Sequence, residues 1–195
     1  MKLIAEGAEA QIFQIDSNIL KKIRLEKSYR LKEIDIKLRK SRNKKEFKTL
    51  TFLYENNINV PKPINIESKI EFSFTFEFIE GKILKEVLDL KLLEKAFEQI
   101  IKIHNLNIIH GDLTTLNMIE RENKIYLIDF GLANTSNKIE DKAVALNLFF
   151  NSIKNEHPDF YKYENKLLEK YENKVINGNE IIKRLEKIKL RGRNK

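Results

Sequence analysis

Not one of the 195 residues is cysteine. That excludes a disulfide framework, a thiol nucleophile and cysteine-ligated zinc or iron–sulfur sites. Histidine is scarce: His104, His110 and His157 are the only three, and no two stand four residues apart on a helix face. A histidine-built metal centre therefore has little to draw on. Long hydrophobic runs are missing too, with none exceeding four residues. A membrane-spanning helix needs about 20 apolar residues and a secretory signal about 7–15. A soluble, cytoplasmic protein with no membrane partner is the expectation.

What the chain does have is charge and enough apolar residues for a core. It carries 37 basic and 29 acidic side chains for a net charge of +8, with 42% hydrophobic and 34% charged residues. Its length suits one domain or a compact two-lobed unit. The excess is unevenly placed. Between Lys21 and Lys48 there are 13 basic and 4 acidic residues, and between Lys183 and Lys195 there are 7 and 1. Clustered Lys and Arg form an electrostatic footprint for a polyanion such as nucleic acid, although lysines on solvated helices need no partner.

Patterning divides the chain in two. Residues 1–25 read as strands around a loop at Gly7 and a turn at Asp16-Ser17-Asn18. Wide helical spacing of apolar residues from about Glu33 to Tyr54 predicts an amphipathic helix stopped by Asn56-Asn57. Val60-Pro61-Lys62-Pro63 must be extended, and the alternation in Glu71–Ile79 predicts a strand. After Lys82 the period becomes helical. One bent helix or two span Ile83–Ile103, and three more are expected at about 140–154, 160–176 and 179–190. Leu116–Ile119 and Ile125–Ile128 should pair across an Arg121–Lys124 turn. The expected fold class is α+β: a β-rich N-lobe, residues 1–79, with one long helix, and a helical C-lobe, residues 80–195, with a hinge near 77–81.

Two segments carry chemistry. The first is His110-Gly111-Asp112-Leu113-Thr114-Thr115-Leu116-Asn117; the second is Asp129-Phe130-Gly131, directly after the buried run IYLI. Phosphoryl transfer from ATP requires an aligned acceptor oxygen and metal ions that neutralise the β and γ phosphates. Asp112 is placed to hold the acceptor proton, and Asn117 with Asp129 to hold Mg2+, an oxygen-seeking ion that keeps several waters. A lysine on the third strand must then reach the phosphates, held by a carboxylate from the long helix. Lys22 is the candidate, with Lys21 on the opposite strand face as its rival. Glu46, the sole acid between Asp35 and Glu55, is the carboxylate; its bland alternative is a solvated helix position. Glu6-Gly7-Ala8-Glu9-Ala10 would cover the phosphates with backbone amides despite its single glycine. Phe76–Ile79 would form the hinge, with Glu77 and Ile79 presenting backbone groups to adenine. The expectation is spatial: a lysine early in the chain and two aspartates late in it converge on one metal–nucleotide cleft.

On these residues the chain resembles a reduced protein kinase, and specifically the small atypical serine/threonine kinase subunit of the KEOPS (EKC) complex, the PRPK family. The likeness runs nearly end to end, through EGAEA, Lys22 with Arg24, Lys27 and Tyr29-Arg30, Asp35 with Leu38-Arg39, Arg42 and Glu46, Ile79-Glu80-Gly81, HGDLTTLN, LIDFGLA, Glu140-Asp141-Lys142 and the closing Arg191-Gly192-Arg193. The resemblance implies a two-lobed kinase-like fold that uses ATP and Mg2+. It implies Lys22 at the phosphates, Glu46 as its partner, Asp112 as catalytic aspartate, Asn117 and Asp129 as metal ligands, and Gly7–Ala10 as the phosphate loop. Members act in forming N6-threonylcarbamoyladenosine on tRNA. They bind a threonylcarbamoyl-transferase subunit and a small regulatory subunit, autophosphorylate on serine or threonine, and in the complex behave largely as ATPases. In some archaea kinase and transferase are fused; this chain begins at Met1 and carries the kinase part.

Three departures shape the expectations. Where the family has an aspartate after Lys142-Ala143-Val144, this chain has Ala145; either a water or Asn147 serves the catalytic-loop amides in its place, or the enzyme is weaker than its relatives. Gly111 stands where kinases usually carry the arginine that pairs with a loop phosphate. The stretch after Gly131 is short and lacks Ala-Pro-Glu, so no phosphorylation-gated loop is expected, and a docked protein should complete the substrate side. The basic helix and the tail 183–195 could touch tRNA phosphates, or the tail could dock a partner or act as a flexible arm. An aminoglycoside-type phosphotransferase, a RIO-type kinase and a non-catalytic nucleotide-binding scaffold are the rivals.

Overall fold

The computed structural model describes residues 1–67, 69 and 71–193, with side chains through residue 191. Two compact units divide it, Met1–Glu80 and Gly81–Lys195.

The first unit is an antiparallel sheet with one helix. Strands β1 (Lys2–Glu6), β2 (Ala10–Asp16) and β3 (Ile19–Arg24) run in sequence; helix α1 (Lys32–Glu55) follows, then β4 (Pro63–Glu67) and β5 (Ser73–Glu77). The sheet order is β1-β2-β3-β5-β4. Strand β4 went unread in the sequence because its proline and asparagine argue against a strand. It lies at the sheet edge, where a missing N–H is tolerated. Helix α1 ends at Asn56, and Asn57 takes the left-handed conformation (φ 57°) that an asparagine accepts at low cost. Leu50 and Leu53 of α1 and Leu20 and Phe74 of the sheet are buried in the core, with Phe47 edge-on to Phe74 at 5.9 Å between ring centroids. Asn43 ties helix to sheet, its amide donating to the carbonyls of Glu67 and Ser73, both at 3.1 Å.

The second unit opens with β6 (Lys82–Ile83), α2 (Leu84–Val87) and α3 (Leu90–Asn105). The apolar run from Ile83 is thus two helices. Asp89 caps the second, its carboxylate accepting from the Leu92 N–H at 2.7 Å. Next come β7 (Ile108–Ile109), a single 3-10 turn (Thr115–Asn117), and β8 (Met118–Arg121) paired with β9 (Lys124–Leu127). The hairpin is shifted from its expected place. Arg121 pairs with Lys124, and Glu122 and Asn123 alone make the turn with φ of 50° and 62°, which defines a type I′ connection. Leu116 belongs to the 3-10 turn, outside the strand. Strand β6 joins β8 to form a three-stranded sheet. Gly81 leads into it, and a Cβ there would stand 2.2 Å from the Glu120 carbonyl oxygen.

Beyond Asp129 lie β10 (Asn134–Thr135), which pairs with β7, then α4 (Ile139–Glu156), α5 (Pro158–Tyr161), α6 (Glu164–Lys174) and α7 (Gly178–Arg193). Their core centres on Phe97, whose ring lies 5.9, 5.6 and 6.1 Å from those of Phe149, Phe150 and Tyr171. The basic end departs from the flexible arm considered above. Residues 183–193 continue α7, with Ile181 and Leu185 buried, Arg184 bound to Glu140, and Lys189 2.8 Å from Glu164. Residues 194 and 195 lie outside the described residues.

Candidate nucleotide and metal site

In the first unit the pleat of β3 sorts its cations. Successive strand residues face opposite sides, so Leu20, Lys22 and Arg24 are buried while Lys21 is half-buried on the other face. Lys21 pairs there with Glu71. Lys22 reaches Glu46 of α1, Nζ to Oε1, at 2.7 Å. Glu46 is only 3% exposed, far from the solvated position that its lysine-rich neighbourhood suggested. Its other oxygen, Oε2, accepts from Nη2 of Arg24 at 2.5 Å. Arg24 is the residue that sequence reasoning passed over. Its signal was the i,i+2 spacing from Lys22, which puts both on one strand face. Removing Glu46, the member that both cations share, would strand them at a cost of about 3–5 kcal/mol.

The EGAEA loop owes its shape to charge more than to glycine. The Gly7 N–H bonds to the Ala10 carbonyl at 2.9 Å, and a Cβ on Gly7 would meet nothing closer than that oxygen at 3.7 Å. Glu9 anchors the loop. Its carboxylate binds Arg30 at 3.0 Å and also Arg42 of α1, and its carbonyl accepts from Leu25 N–H at 3.0 Å. The Glu9 side chain is therefore committed to the protein, which leaves the loop's backbone as the part able to face an anion. Asp35, 1% exposed, extends the network by accepting from Arg39 at 2.6 Å and lying 3.5 Å from Arg30. At Glu77–Ile79, the N–H of Glu77 goes to the Lys62 carbonyl and that of Phe78 to the Asn18 carbonyl. Ile79 is buried at 3%.

In the second unit the HGDLTTLN segment is tied together by its own side chains. Asn117 donates through Nδ2 to the Asp112 carbonyl at 2.8 Å and to Asp112 Oδ2 at 2.9 Å, leaving the Asn117 Oδ1 as an oxygen ligand. His110 is fully buried and bridges two segments. Its Nε2–H donates to the Ile128 carbonyl at 2.9 Å, and its Nδ1 accepts from the Asp112 N–H at 3.3 Å, which fixes the neutral Nε2-protonated tautomer. Its ring also lies 4.6 Å from that of Phe130, tilted by 47°. Asp129 adopts φ 59°, a conformation that costs a non-glycine residue roughly 1–2 kcal/mol. Its Oδ1 accepts from the Gly131 N–H at 3.2 Å. Asp112 and Asp129 are both exposed.

Gly111 explains the missing arginine. Its φ is 87°, and a Cβ would sit 2.4 Å from the Leu132 carbonyl oxygen, so no side chain fits. With Ala145 in place of the aspartate, several catalytic-loop groups find their partners in the loop itself and near the end of α4. The Thr115 N–H donates to Ser152 Oγ at 3.3 Å, and the Thr115 hydroxyl donates to Glu156, both one helix end away on α4. The Asp112, Thr114 and Asn117 amides bond to His110 Nδ1, the Asp112 carbonyl and the Thr114 carbonyl. Ala145 is simply buried at 5%.

Among the described residues no group of three His, Cys, Asp or Glu side chains could hold a metal unaided. That donor chemistry fits Mg2+, which takes one or two protein oxygens and completes its shell with phosphates and water. Asn117 and Asp129 would hold it. No helix of the described residues is long and apolar enough to cross a membrane.

The solved Rio2 kinase of Chaetomium thermophilum, in complex with ADP, Mg2+ and phosphoaspartate, matches with a TM-score of 0.64 at 16% identity, over 100% of this chain and 72% of that one. The bifunctional kinase-methyltransferase WbdD, solved with a kinase inhibitor, matches at 0.61 and 16% identity, over 93% of this chain and 44% of that one. The fold is that of a protein kinase of the reduced, RIO type, and the RIO domain model covers residues 10–173.

Closer relatives narrow this. The KEOPS complex subunit Bud32 of Pyrococcus abyssi is 38% identical over 99% of this chain and 96% of its own length. The EKC/KEOPS complex subunit BUD32 of Enterocytozoon bieneusi is 36% identical over the whole of both. The "Probable bifunctional tRNA threonylcarbamoyladenosine biosynthesis protein" of Methanobrevibacter smithii is 41% identical over 98% of this chain, which spans 36% of that protein. The chain belongs to the Bud32 family of RIO-domain kinases.

Proposed function

We propose that the chain is an ATP- and Mg2+-dependent phosphotransferase and ATPase serving a KEOPS-type assembly that forms threonylcarbamoyladenosine on tRNA. Its partners would be the threonylcarbamoyl-transferase subunit and a small regulatory subunit. The observation that carries the reading is the Asp112–Asn117 pair. One Asn117 amide nitrogen fixes both the backbone and the carboxylate of Asp112, and its oxygen is left over for a cation. Asp112 Oδ1 then takes the proton of the attacking oxygen, from a serine or threonine hydroxyl or from water. Lys22, backed by Glu46 and Arg24, contacts the α and β phosphates. The Gly7–Ala10 backbone covers them, and Glu77 and Ile79 offer main-chain groups to adenine. Magnesium, when bound with ATP, neutralises charge on the β and γ phosphates.

ATP hydrolysis and autophosphorylation by wild type, Asp112→Asn and Asp129→Ala, alone and with the transferase subunit, test this. Both variants should lose about 100-fold or more in rate, and the wild-type rate should rise with the partner. Equal rates for all three would overturn the enzyme and leave a nucleotide-binding scaffold.

A further inference from the structure

The second unit contains a cavity of about 230 Å³ that takes no part in the chemistry above. Its polar wall consists of Lys142 and four asparagines, Asn105, Asn107, Asn137 and Asn177, with no acidic side chain. Lys142 is 4% exposed. Its ammonium group has three N–H donors, one of which bonds to the neutral Oδ1 of Asn107 at 2.9 Å.

Among the described residues no carboxylate forms an ion pair with Lys142. Asp141 is engaged by the Ser136 hydroxyl at 2.6 Å, and Glu140 by Arg184. His104 is kept neutral by burial and, to a lesser degree, by the Lys142 charge, which together lower its pKa to about 3. Burial lowers the pKa of Lys142 as well, as expected of a cation lacking a counter-ion. Helices α4 and α7 both begin at this wall, since Ile139 is the first residue of one and Asn177 directly precedes the other. Helix starts add partial positive charge. The carboxyl end of α3 arrives there too, but its His104 and Lys102 carbonyls are taken by the N–H groups of Asn107 and Leu106. The remaining wall is apolar, made by Ile139, Ile176 and Ile181, and Ile176 is 73% exposed at the rim.

We infer that this cavity is a binding site for a carboxylate carried on a short aliphatic stem, with the carboxylate on Lys142 and the asparagine amides and the stem on the isoleucines. A phosphate would satisfy the donors and leave the isoleucines unmatched. A nucleotide or drug-sized ligand needs about 300–1,000 Å³, more than is present. Such a group can come from a free dicarboxylate or from a glutamate of a docked protein.

Titrations of the full chain followed by ¹H–¹⁵N NMR at the Asn177 and Gly178 amides would decide, using sodium glutarate, uncharged glutaramide, inorganic phosphate and a glutamate-terminated peptide. Glutarate should shift both signals saturably, while glutaramide leaves them in place. Lys142→Met should abolish the shift. Ile176→Glu, at an exposed rim position where folding is not at stake, should weaken glutarate at least tenfold by placing a competing carboxylate at the mouth. Tighter binding of the peptide than of glutarate assigns the source to a protein, and the reverse order to a free acid. Equal responses to glutarate and glutaramide, tighter binding of phosphate than of glutarate, or unchanged binding in both variants would overturn the assignment. Where Lys142→Met does not fold, Ile176→Glu alone decides.

Discussion

Two buried side chains set the sharpest expectations at the scale of single residues. Arg24 gives Glu46 a second cation, so the carboxylate keeps a partner when Lys22 engages a phosphate. Arg24→Met should therefore lower kcat for ATP turnover more than it raises KM, with a loss of stability of about 1–3 kcal/mol from the missing charge-assisted bond. Rates and thermal melts of the variant give both numbers. His104 is wholly buried, bonded through Nδ1 to the Tyr171 hydroxyl at 2.7 Å, and burial lowers its pKa from 6.5 to about 3. A depressed folded-state pKa means that the unfolded chain takes up the proton first as pH falls. The stability contributed by neutral His104 is thus present above about pH 6.5 and is lost between there and pH 3. By pH 5 the loss should be about 2 kcal/mol. Denaturant titrations at pH 7 and pH 5 should show it in wild type, and His104→Gln should flatten the dependence.

Turns and edges mark where elements departed from their sequence signals. The β8–β9 connection requires left-handed backbone at both Glu122 and Asn123, and glutamate suits that poorly. Glu122→Asn should stabilise the second unit by about 0.5–1 kcal/mol, read as a shift in the urea midpoint at constant slope. The same glutamate explains why the strand bounds were misplaced, by two residues in β8 and one in β9: nothing in Arg-Glu-Asn-Lys announces a two-residue turn. Alternate burial left its imprint on β3, where Leu20, Lys22 and Arg24 are buried. Strand β1 is exposed throughout, and the long helix buries Asp35, Asn43 and Glu46 along with Leu50 and Leu53. Those two were legible from residue types and flanking turns more than from a clean apolar period. Periodicity was blind to β4, an edge strand with little to bury. The site was legible where side-chain chemistry dictates sequence, as in HGDLTTLN and the Lys22–Glu46 pair. It was illegible where distant residues cooperate: the i,i+2 spacing puts Arg24 on the face of Lys22 without pointing to Glu46, and the approach of Ser152 and Glu156 to Thr115 leaves no local signal at all.

For the molecule as a whole, the basic excess shrinks once pairing is counted. Arg24, Arg30, Arg39 and Arg42 of the first cluster are spent on Glu46, Glu9 and Asp35, and Arg184 and Lys189 of the second on Glu140 and Glu164. Among the cations that stay open to solvent is a row of lysines along α1, Lys37, Lys40, Lys44 and Lys48, on one helical face. If that row meets tRNA, affinity should fall with a log–log salt slope near −0.7 to −0.9 per phosphate contact. Lys40→Glu with Lys44→Glu should shrink the slope by about two contacts. Filter binding at several salt concentrations measures it, and a flat wild-type profile would remove RNA from this face. The seating of Phe130 has a pharmacological corollary. With Phe130 2% exposed and its ring 4.6 Å from that of His110, swinging the ring outward would give up that burial and contact. Compounds shaped to the ring where it lies should therefore bind more tightly than those that need the phenylalanine displaced.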